Sequence, residues 1–181
     1  MREIAAQLPD GAFVFTSNVD GHFQKAGFAP DTVWEVHGSI HHLQCAEPCS
    51  AHLWAADGFE PIVDPVSCRL VSPLPTCPHC GGLARPNILM FGDYAWQEER
   101  ALSQQARCEA WLTRARKPML IELGAGKAVA TVRRFGEGLG YPLIRINLRD
   151  PDVGKAKHIS VPLGALAALE GIEAALSCKQ A

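Results

Sequence analysis

The stretch from Val14 to Ser39, VFTSNVDGHFQKAGFAPDTVWEVHGS, decides the fold of this chain. It starts in an apolar run of strand length over residues 12–17 and continues into a polar turn. A second run, residues 32–37, is β-branched and aromatic, and we predict a strand that ends on His37. The turn offers four short polar side chains, Thr16, Ser17, Asn18 and Asp20. Polar groups at the carboxyl ends of two strands form the ligand crevice of an open α/β sheet.

Outward from this stretch, strand and helix patterns alternate to the end of the chain. Residues 1–8 can form the last turns of a helix, which the Pro-Asp-Gly sequence at 9–11 ends. The later pattern predicts an extended link followed by helices and strands in turn, over residues 83–93, 97–116, 119–123, 127–139, 143–147, 158–161 and 163–177. This alternation is typical of an α/β protein whose parallel sheet is joined by crossover helices.

The composition bounds the class of protein. Of 181 residues, 48% are hydrophobic, which is enough for a core and argues against disorder. The net charge is −2, and charged residues of both signs are scattered along the chain. We therefore expect neither a groove for nucleic acid nor binding to an anionic membrane surface. No apolar run is long enough to span a bilayer. The first eleven residues lack the apolar core of a secretion signal, and we therefore expect a cytoplasmic protein.

A change of composition marks residues 40–82. Six of the thirteen prolines and five of the seven cysteines fall there, and the hydrophobic periodicity is poor. Such a stretch builds little hydrophobic core by itself and needs another source of stability, such as a bound metal ion. We interpret it as a small inserted module, which divides the chain into residues 1–39, 40–82 and 83–181.

Four cysteines in this module form two close pairs separated by a long loop. The ligand set is Cys45, Cys49, Cys77 and Cys80. Zn²⁺ prefers four soft ligands in a tetrahedron, and four thiolates leave no open position, so we predict a structural zinc ion. The alternative is a set of buried free thiols. Cys68 lies between the pairs and could compete as a ligand, whereas His41 and His42 are interpreted as surface or module residues.

The stretch that opens this section resembles the core of the sirtuins, the NAD-dependent protein deacylases. Their pattern T-Q-N-x-D-x-L-H, A-G and E-x-H-G is matched here by TSNVDGHF at 16–23, AG at 26–27 and EVHG at 35–38. The resemblance implies that His37 is the general base acting on the nicotinamide ribose hydroxyls. It also implies that Asn18 and Asp20 line the nicotinamide pocket, with Ser17 in place of the usual Gln.

The residues themselves leave other roles open for this turn. A histidine flanked by apolar residues at a strand end often only packs, and periodicity alone would favour that role for His37. Asn and Asp in a loop commonly close an Asx-turn, and that role is compatible with binding. The pattern of four cysteines between E-x-H-G and an R-P-x-x-x-x-F-G segment is also that of the sirtuin zinc module.

The segment RPNILMFGD at 85–93 resembles the sirtuin segment that pairs with the acyl-lysine peptide as an added strand. The resemblance implies that Ile88, Phe91 and Gly92 contact the substrate, an acyl-lysine protein or peptide. The alternative is an ordinary strand that links two parts of the chain.

The turn Gly124-Ala125-Gly126 follows a predicted strand but fits neither the dinucleotide fingerprint nor the P-loop pattern. It resembles the sirtuin G-T-S turn, which contacts the adenosine part of NAD, with two hydroxyl donors replaced. Asn147 ends a strand that resembles the family's x-I-N, whose Asn approaches the adenine ribose.

The resemblance implies an α/β fold in which a Rossmann-like parallel sheet lacks its first Gly-rich βα unit and carries a small zinc-binding module. We therefore expect weak NAD binding by this chain alone, with either a partner chain supplying the missing Gly-rich half or a longer protein of which this sequence is part. The implied activity is NAD-dependent lysine deacylation, with acyl transfer to ADP-ribose and nicotinamide release. The alternatives are a catalytically inactive scaffold that binds a peptide or partner, and an ADP-ribosyltransferase or NAD hydrolase that uses the same site.

Overall fold

A computed structural model describes residues 1–178 of the chain. In chain order the helices are α1 (Arg2–Ala6), α2 (His22–Lys25), α3 (Glu99–Arg114), α4 (Thr131–Leu139) and α5 (Ala165–Cys178). The strands are β1 (Val14–Thr16), β2 (Val33–Glu35), β3 (Gly38–Cys45), β4 (Trp54–Ala55), β5 (Ala84–Ile88), β6 (Leu120–Leu123), β7 (Leu143–Ile146) and β8 (Ile159–Val161). No helix in these 178 residues combines the length and the apolar character that crossing a membrane requires.

The described chain forms two compact units, one of residues 14–108 and one of residues 1–13 with 109–178. In the first unit β1 and β2 pair in parallel, with Val14 opposite Val33 and Phe15 opposite Trp34. Val14, Val33 and Trp34 are buried. The rings of Phe15 and Trp34 meet edge to face with centroids 4.8 Å apart. These β-branched and aromatic side chains suit a strand because they pack against neighbours across the pleat.

A second sheet in the same unit has the order β4-β3-β5 and is antiparallel. Strand β3 runs over Gly38–Cys45 and was not predicted, because His41, His42 and Gln44 interrupt the apolar alternation. Its register with β5 shifts between Ser39 and Leu43, so the strand carries an irregularity there. The predicted module, which begins at residue 40, therefore begins inside a strand that leads directly to Cys45.

The other unit contains the parallel sheet β6-β7-β8. Leu143 and Ile146 on β7, the central strand, are almost fully buried. Arg145 on the same strand is also buried, and its guanidinium donates two hydrogen bonds to Glu122 on β6 at 2.6 and 2.9 Å. A third bond, of 2.8 Å, joins Arg145 to Glu137 on α4, and these carboxylates raise the pKa of Arg145 against the effect of burial.

The predicted α/β class with parallel strands and a cysteine module is confirmed, but several element boundaries differ from prediction by a few residues. Strand β2 ends at Glu35, and His37 lies in the two-residue turn before β3. Helix α4 begins at Thr131 and not at residue 127, and it ends as predicted on Gly140, whose φ of +71° is readily adopted by glycine. Because His37 lies in this turn and not in a strand, the alternation of side chains along a strand does not determine its orientation.

Candidate functional site

The four paired cysteines converge as the sequence predicts. The thiol sulfurs of Cys45, Cys49, Cys77 and Cys80 all lie within 4.8 Å of one another. Cys45 Sγ is 3.7 Å from Cys80 Sγ, and Cys49 Sγ is 3.7 Å from Cys77 Sγ. A tetrahedral zinc ion with Zn–S bonds of about 2.3 Å requires sulfurs about 3.8 Å apart. The spacing of the thiols therefore fits a structural zinc ion, and exposed Cys68 is not a member of the cluster.

The electrostatics of the cluster also favour a cation. Backbone N–H groups of Cys80 and His79 lower the pKa of Cys77 to about 7, although burial acts in the opposite direction. Burial and the neighbouring thiols raise the pKa of Cys49 to about 12. One thiolate forms readily and a second charge beside it is disfavoured, so a metal ion is needed before all four can ionise.

A buried network of amide side chains holds the ends of the first cysteine pair. Gln44, next to Cys45, accepts hydrogen bonds from Asn87 Nδ2 (2.8 Å) and from the backbone N–H of Gln97 (3.2 Å). Gln97 Nε2 donates in turn to the carbonyl of Ser50, next to Cys49, at 2.7 Å. Gln44, Asn87 and Gln97 are all buried. These bonds link the cysteine loop to β5, and the sequence analysis missed them because isolated amide residues form no motif.

His37 lies beside the polar turn that follows β1. The backbone N–H of Val36 donates to the Thr16 carbonyl at 3.0 Å, and that of Ile40 donates to the Val19 carbonyl at 2.9 Å. These two backbone bonds place the turn that contains Ser17 and Asn18 beside the short turn that carries His37. His37 is half-buried and Asn18 is exposed.

Asp20 has an observed structural role in this turn. Its Oδ1 accepts the backbone N–H of His22 at 3.0 Å, which is the Asx-turn that the sequence allows. Its backbone carbonyl lies 3.0 Å from Nε2 of His41. Asp20 therefore orders the start of α2, and His41 points to this turn.

Of the residues expected to border a substrate, Ile88 pairs with Gly38, the residue after His37. The backbone N–H of Leu89 donates to the His37 carbonyl at 3.0 Å, which places the end of β5 against the His37 turn. Phe91 is 93% exposed, and Gly92 follows it with a φ of +68°. Arg85 fixes the loop by donating to Asp93 at 2.9 Å.

The predicted adenosine turn and Asn147 come together in the other unit. Asn147 Nδ2 donates to the Ala125 carbonyl at 3.1 Å, and Gly124 has a φ of +63°. The same carbonyl accepts Nε of the buried Arg133 at 2.9 Å, and Arg133 Nη2 donates to the Asp150 carbonyl at 2.7 Å. Arg133 was missed because one arginine on a helix carries no sequence signal. These bonds hold the turn of Gly124 to Gly126 in place.

Comparison with known proteins agrees with these features. A sequence profile described as the Sir2 family matches residues 3–114. A Pseudomonas aeruginosa protein named NAD-dependent protein deacylase 1 is 32% identical over 66% of this chain and 43% of its own length. NAD-dependent protein deacylase 2 of Corynebacterium efficiens is 29% identical over 83% of this chain and 54% of its own length. The chain spans about half the length of these curated relatives.

Solved structures share the fold. One described as a Sir2 homolog–NAD complex superposes with a TM-score of 0.63 and 21% identity, over 99% of this chain and 62% of that one. Another, described as Sir2–p53 peptide–NAD+, gives a TM-score of 0.61 and 22% identity, over 92% and 63% of the two chains. At this identity the likeness concerns the fold.

Proposed function

The chain belongs to the Sir2 family, and on that premise we propose that it acts as an NAD-dependent protein lysine deacylase. The observation that carries the proposal is the convergence of three sequence elements in one unit: the turn of Ser17 and Asn18, the turn of His37, and the end of β5. The names of the relatives in Pseudomonas and Corynebacterium support it.

His37 is the proposed general base. A half-buried imidazole on a short turn beside polar residues can accept a proton from a ribose hydroxyl near pH 7 and return it later. Ser17, Asn18 and Asp20 would hold the nicotinamide side of NAD. When bound, NAD supplies the ADP-ribose that receives the acyl group, and nicotinamide is released.

The proposed contacts with the adenosine side of NAD and with the peptide follow from the positions of their residues in the fold. Gly124, Ala125, Gly126 and Asn147 would hold the adenosine side, and the left-handed Gly124 is suited to close approach of a ligand to the backbone. Ile88, Phe91 and Gly92 would border the acyl-lysine peptide, which would add as a strand beside this extended segment. The exposure of Phe91 supports that role, since an apolar side chain at 93% exposure gains by being covered.

Zinc is assigned a structural role. The four thiolates of Cys45, Cys49, Cys77 and Cys80 would complete its coordination and leave no position for substrate. The ion would fix the loop after β3, whose buried amide network also reaches β5.

The test measures deacylation of an acetyl-lysine peptide with NAD by the full-length protein. We expect His37→Ala to lower kcat by at least a factor of about 100, since general-base catalysis contributes roughly 10²–10⁴. His22→Ala is the matched control, because His22 is 74% exposed and its removal leaves His37 in place. Equal activity of His37→Ala and wild type would overturn the assignment.

A specific observation also favours a second candidate function, a zinc-stabilised scaffold that binds a peptide or partner without catalysis. Ser17, Ala125 and Gly126 replace family side chains that would bind NAD. Calorimetric titration with NAD of a protein extended upstream separates the two: measurable affinity supports the enzyme, and none supports the scaffold. ADP-ribosyl transfer or NAD hydrolysis would use the same residues. Under either function, a partner chain could supply the Gly-rich half implied by the family pattern, and co-purification would identify it.

A further inference from the structure

A cavity of about 630 Å³ lies in the unit of residues 14–108, between α2, β3 and the first half of α3. The residues that line it do not include Ser17, Asn18, Asp20 or His37, to which the proposed function assigns roles. Its ionisable and imidazole lining residues are Lys25, Glu35, His41, His42, Arg100 and Arg107. Three cationic side chains therefore face one carboxylate, in a chain whose net charge is −2.

The single carboxylate of the lining is already neutralised. Glu35 is only 1% exposed and forms an ion pair with Arg100 across the cavity wall. Asp31 Oδ1 lies 3.7 Å from Arg107 Nε, but Asp31 is 87% exposed and its charge is screened by solvent. Arg107 and the exposed Lys25 therefore have no buried counterion.

Several buried polar atoms of the lining have no hydrogen-bond partner among residues 1–178. They are Arg100 Nη1, Arg107 Nε and His42 Nδ1. Burial and the nearby Arg100 lower the pKa of His42, so its imidazole is neutral at pH 7. A buried donor left without an acceptor destabilises the folded protein. Unpaired arginine donors beside one cavity favour an occupant that accepts hydrogen bonds.

The walls of the cavity are built by close contacts. Gln104 Oε1 accepts the backbone N–H of Glu35 at 3.1 Å, which ties α3 to β2. The His41 ring packs on Gly21, where an added Cβ would lie 2.6 Å from the ring. Gly21 also has a φ of +66°, so this position requires glycine both for its left-handed backbone and for the space beside the His41 ring.

We propose that this cavity binds the phosphate group of a phosphorylated small molecule. A phosphate monoester carries −1.5 to −2 charges at pH 7 and three acceptor oxygens, which matches two unbalanced cations and unpaired donors. A carboxylate carries half that charge. The volume falls within the usual range for small-molecule sites, about 300–1,000 Å³, and exceeds the size of a free phosphate ion.

The test is titration of the full-length protein with inorganic phosphate, followed by the imidazole NMR signals of His42 and by calorimetry. We expect the His42 signals to shift with a saturable curve, and acetate at equal ionic strength to produce no more than a fifth of that shift. Arg107→Gln and Lys25→Gln should each weaken phosphate affinity at least fivefold. Arg134→Gln is the matched control, because Arg134 is an exposed arginine on α4 and is not among the residues that line the cavity.

Equal phosphate affinity in Arg107→Gln, Lys25→Gln and Arg134→Gln would overturn the proposal, as would a titration that leaves the His42 signals unmoved. Arg100 is left intact because its removal would strand the buried Glu35 and unfold the site. If Arg107→Gln fails to fold, Lys25→Gln at the rim decides the result. The measurement uses neither NAD nor an acylated peptide, so it fails or succeeds independently of the proposed deacylase activity.

Discussion

Gly38 is the residue on which the joining of β3 and β5 depends. It has a φ of +83°, and a Cβ placed on it would lie 2.0 Å from the backbone carbonyl oxygen of Asn87. A backbone atom cannot move aside as the end of a long side chain can. Only glycine therefore allows the two strands to approach directly after the His37 turn.

Gly38→Ala should lower the free energy of unfolding by more than about 2 kcal/mol, because it combines left-handed strain with a backbone clash. Gly58→Ala is the matched control: Gly58 has a φ of +81° but no atom within 4 Å of its ideal Cβ. It should lose only about 1 kcal/mol, from strain alone. Urea denaturation of both variants measures the difference, and equal losses would contradict the assigned clash.

Arg133 on α4 stabilises the turn of Gly124 to Gly126 by a hydrogen bond to its backbone. Its guanidinium donates to the carbonyls of Ala125 and Asp150, and the residue is buried. Arg133→Met should cost about 1–3 kcal/mol of unfolding free energy, since two carbonyls lose a charged donor. The neighbouring exposed Arg134→Met should change stability by less than about 0.5 kcal/mol. A similar loss of unfolding free energy for both variants in denaturant titrations would contradict a stabilising role for the hydrogen bonds of Arg133.

Among the elements, those with regular patterns could be predicted and the irregular strand could not. The apolar runs of β1, β2, β6 and β7 were placed within one or two residues, because β-branched and aromatic side chains favour strands. Strand β3 was missed because two exposed or half-buried histidines and a fully buried glutamine reverse the expected alternation. Gln44 is buried only because Asn87 and Gln97 satisfy it, and those partners are distant in sequence.

The same limit applies to the candidate site. The four cysteines could be found because close thiol pairs have a spacing set by zinc chemistry. His37 could be singled out by its family motif, but its position in a turn depends on the left-handed Gly38 that follows. The cavity beside His42 could not be predicted, because its walls come from three separate elements.

The loop after β5 should have a measurable acid transition. Burial raises the pKa of Asp93, but hydrogen bonds from Arg85 and from backbone N–H groups outweigh it, so the pKa is lowered from 3.8. A lowered folded-state pKa means that the carboxylate stabilises the fold above about pH 4 and that this stability is lost as pH falls through the folded value.

Asp93→Asn should therefore reduce stability at pH 7 and flatten its fall between about pH 5 and 2, measured by urea denaturation at each pH. Asp152→Asn, at an exposed position, should keep the wild-type slope. A wild-type slope in Asp93→Asn would mean that the ion pair with Arg85 does not stabilise the folded loop.

Over the whole chain, hydrophobic burial is unevenly distributed. Between residues 40 and 82 the buried apolar side chains are Leu43, Cys45 and Cys77, and two of these belong to the metal cluster. The same stretch carries Glu47, Asp57, Glu60 and Asp64 against Arg69, a net charge of 1 − 4 = −3, while the whole chain has −2. Self-repulsion and a small core leave this region dependent on the cluster for its structure.

Removal of zinc should therefore unfold residues 45–82 and lower the thermal midpoint of the protein. Metal analysis of the purified protein should give one zinc per chain, and Cys80→Ser should lose it. Because structural zinc contributes several kcal/mol or more, we expect the midpoint to fall by roughly 10 °C or more on chelation. Cys68→Ser is the matched control, since Cys68 is exposed and outside the cluster, and it should keep both the metal and the midpoint. Hydrogen exchange would locate the change: unchanged protection of β3 and its loop after chelation would contradict a structural role for the metal.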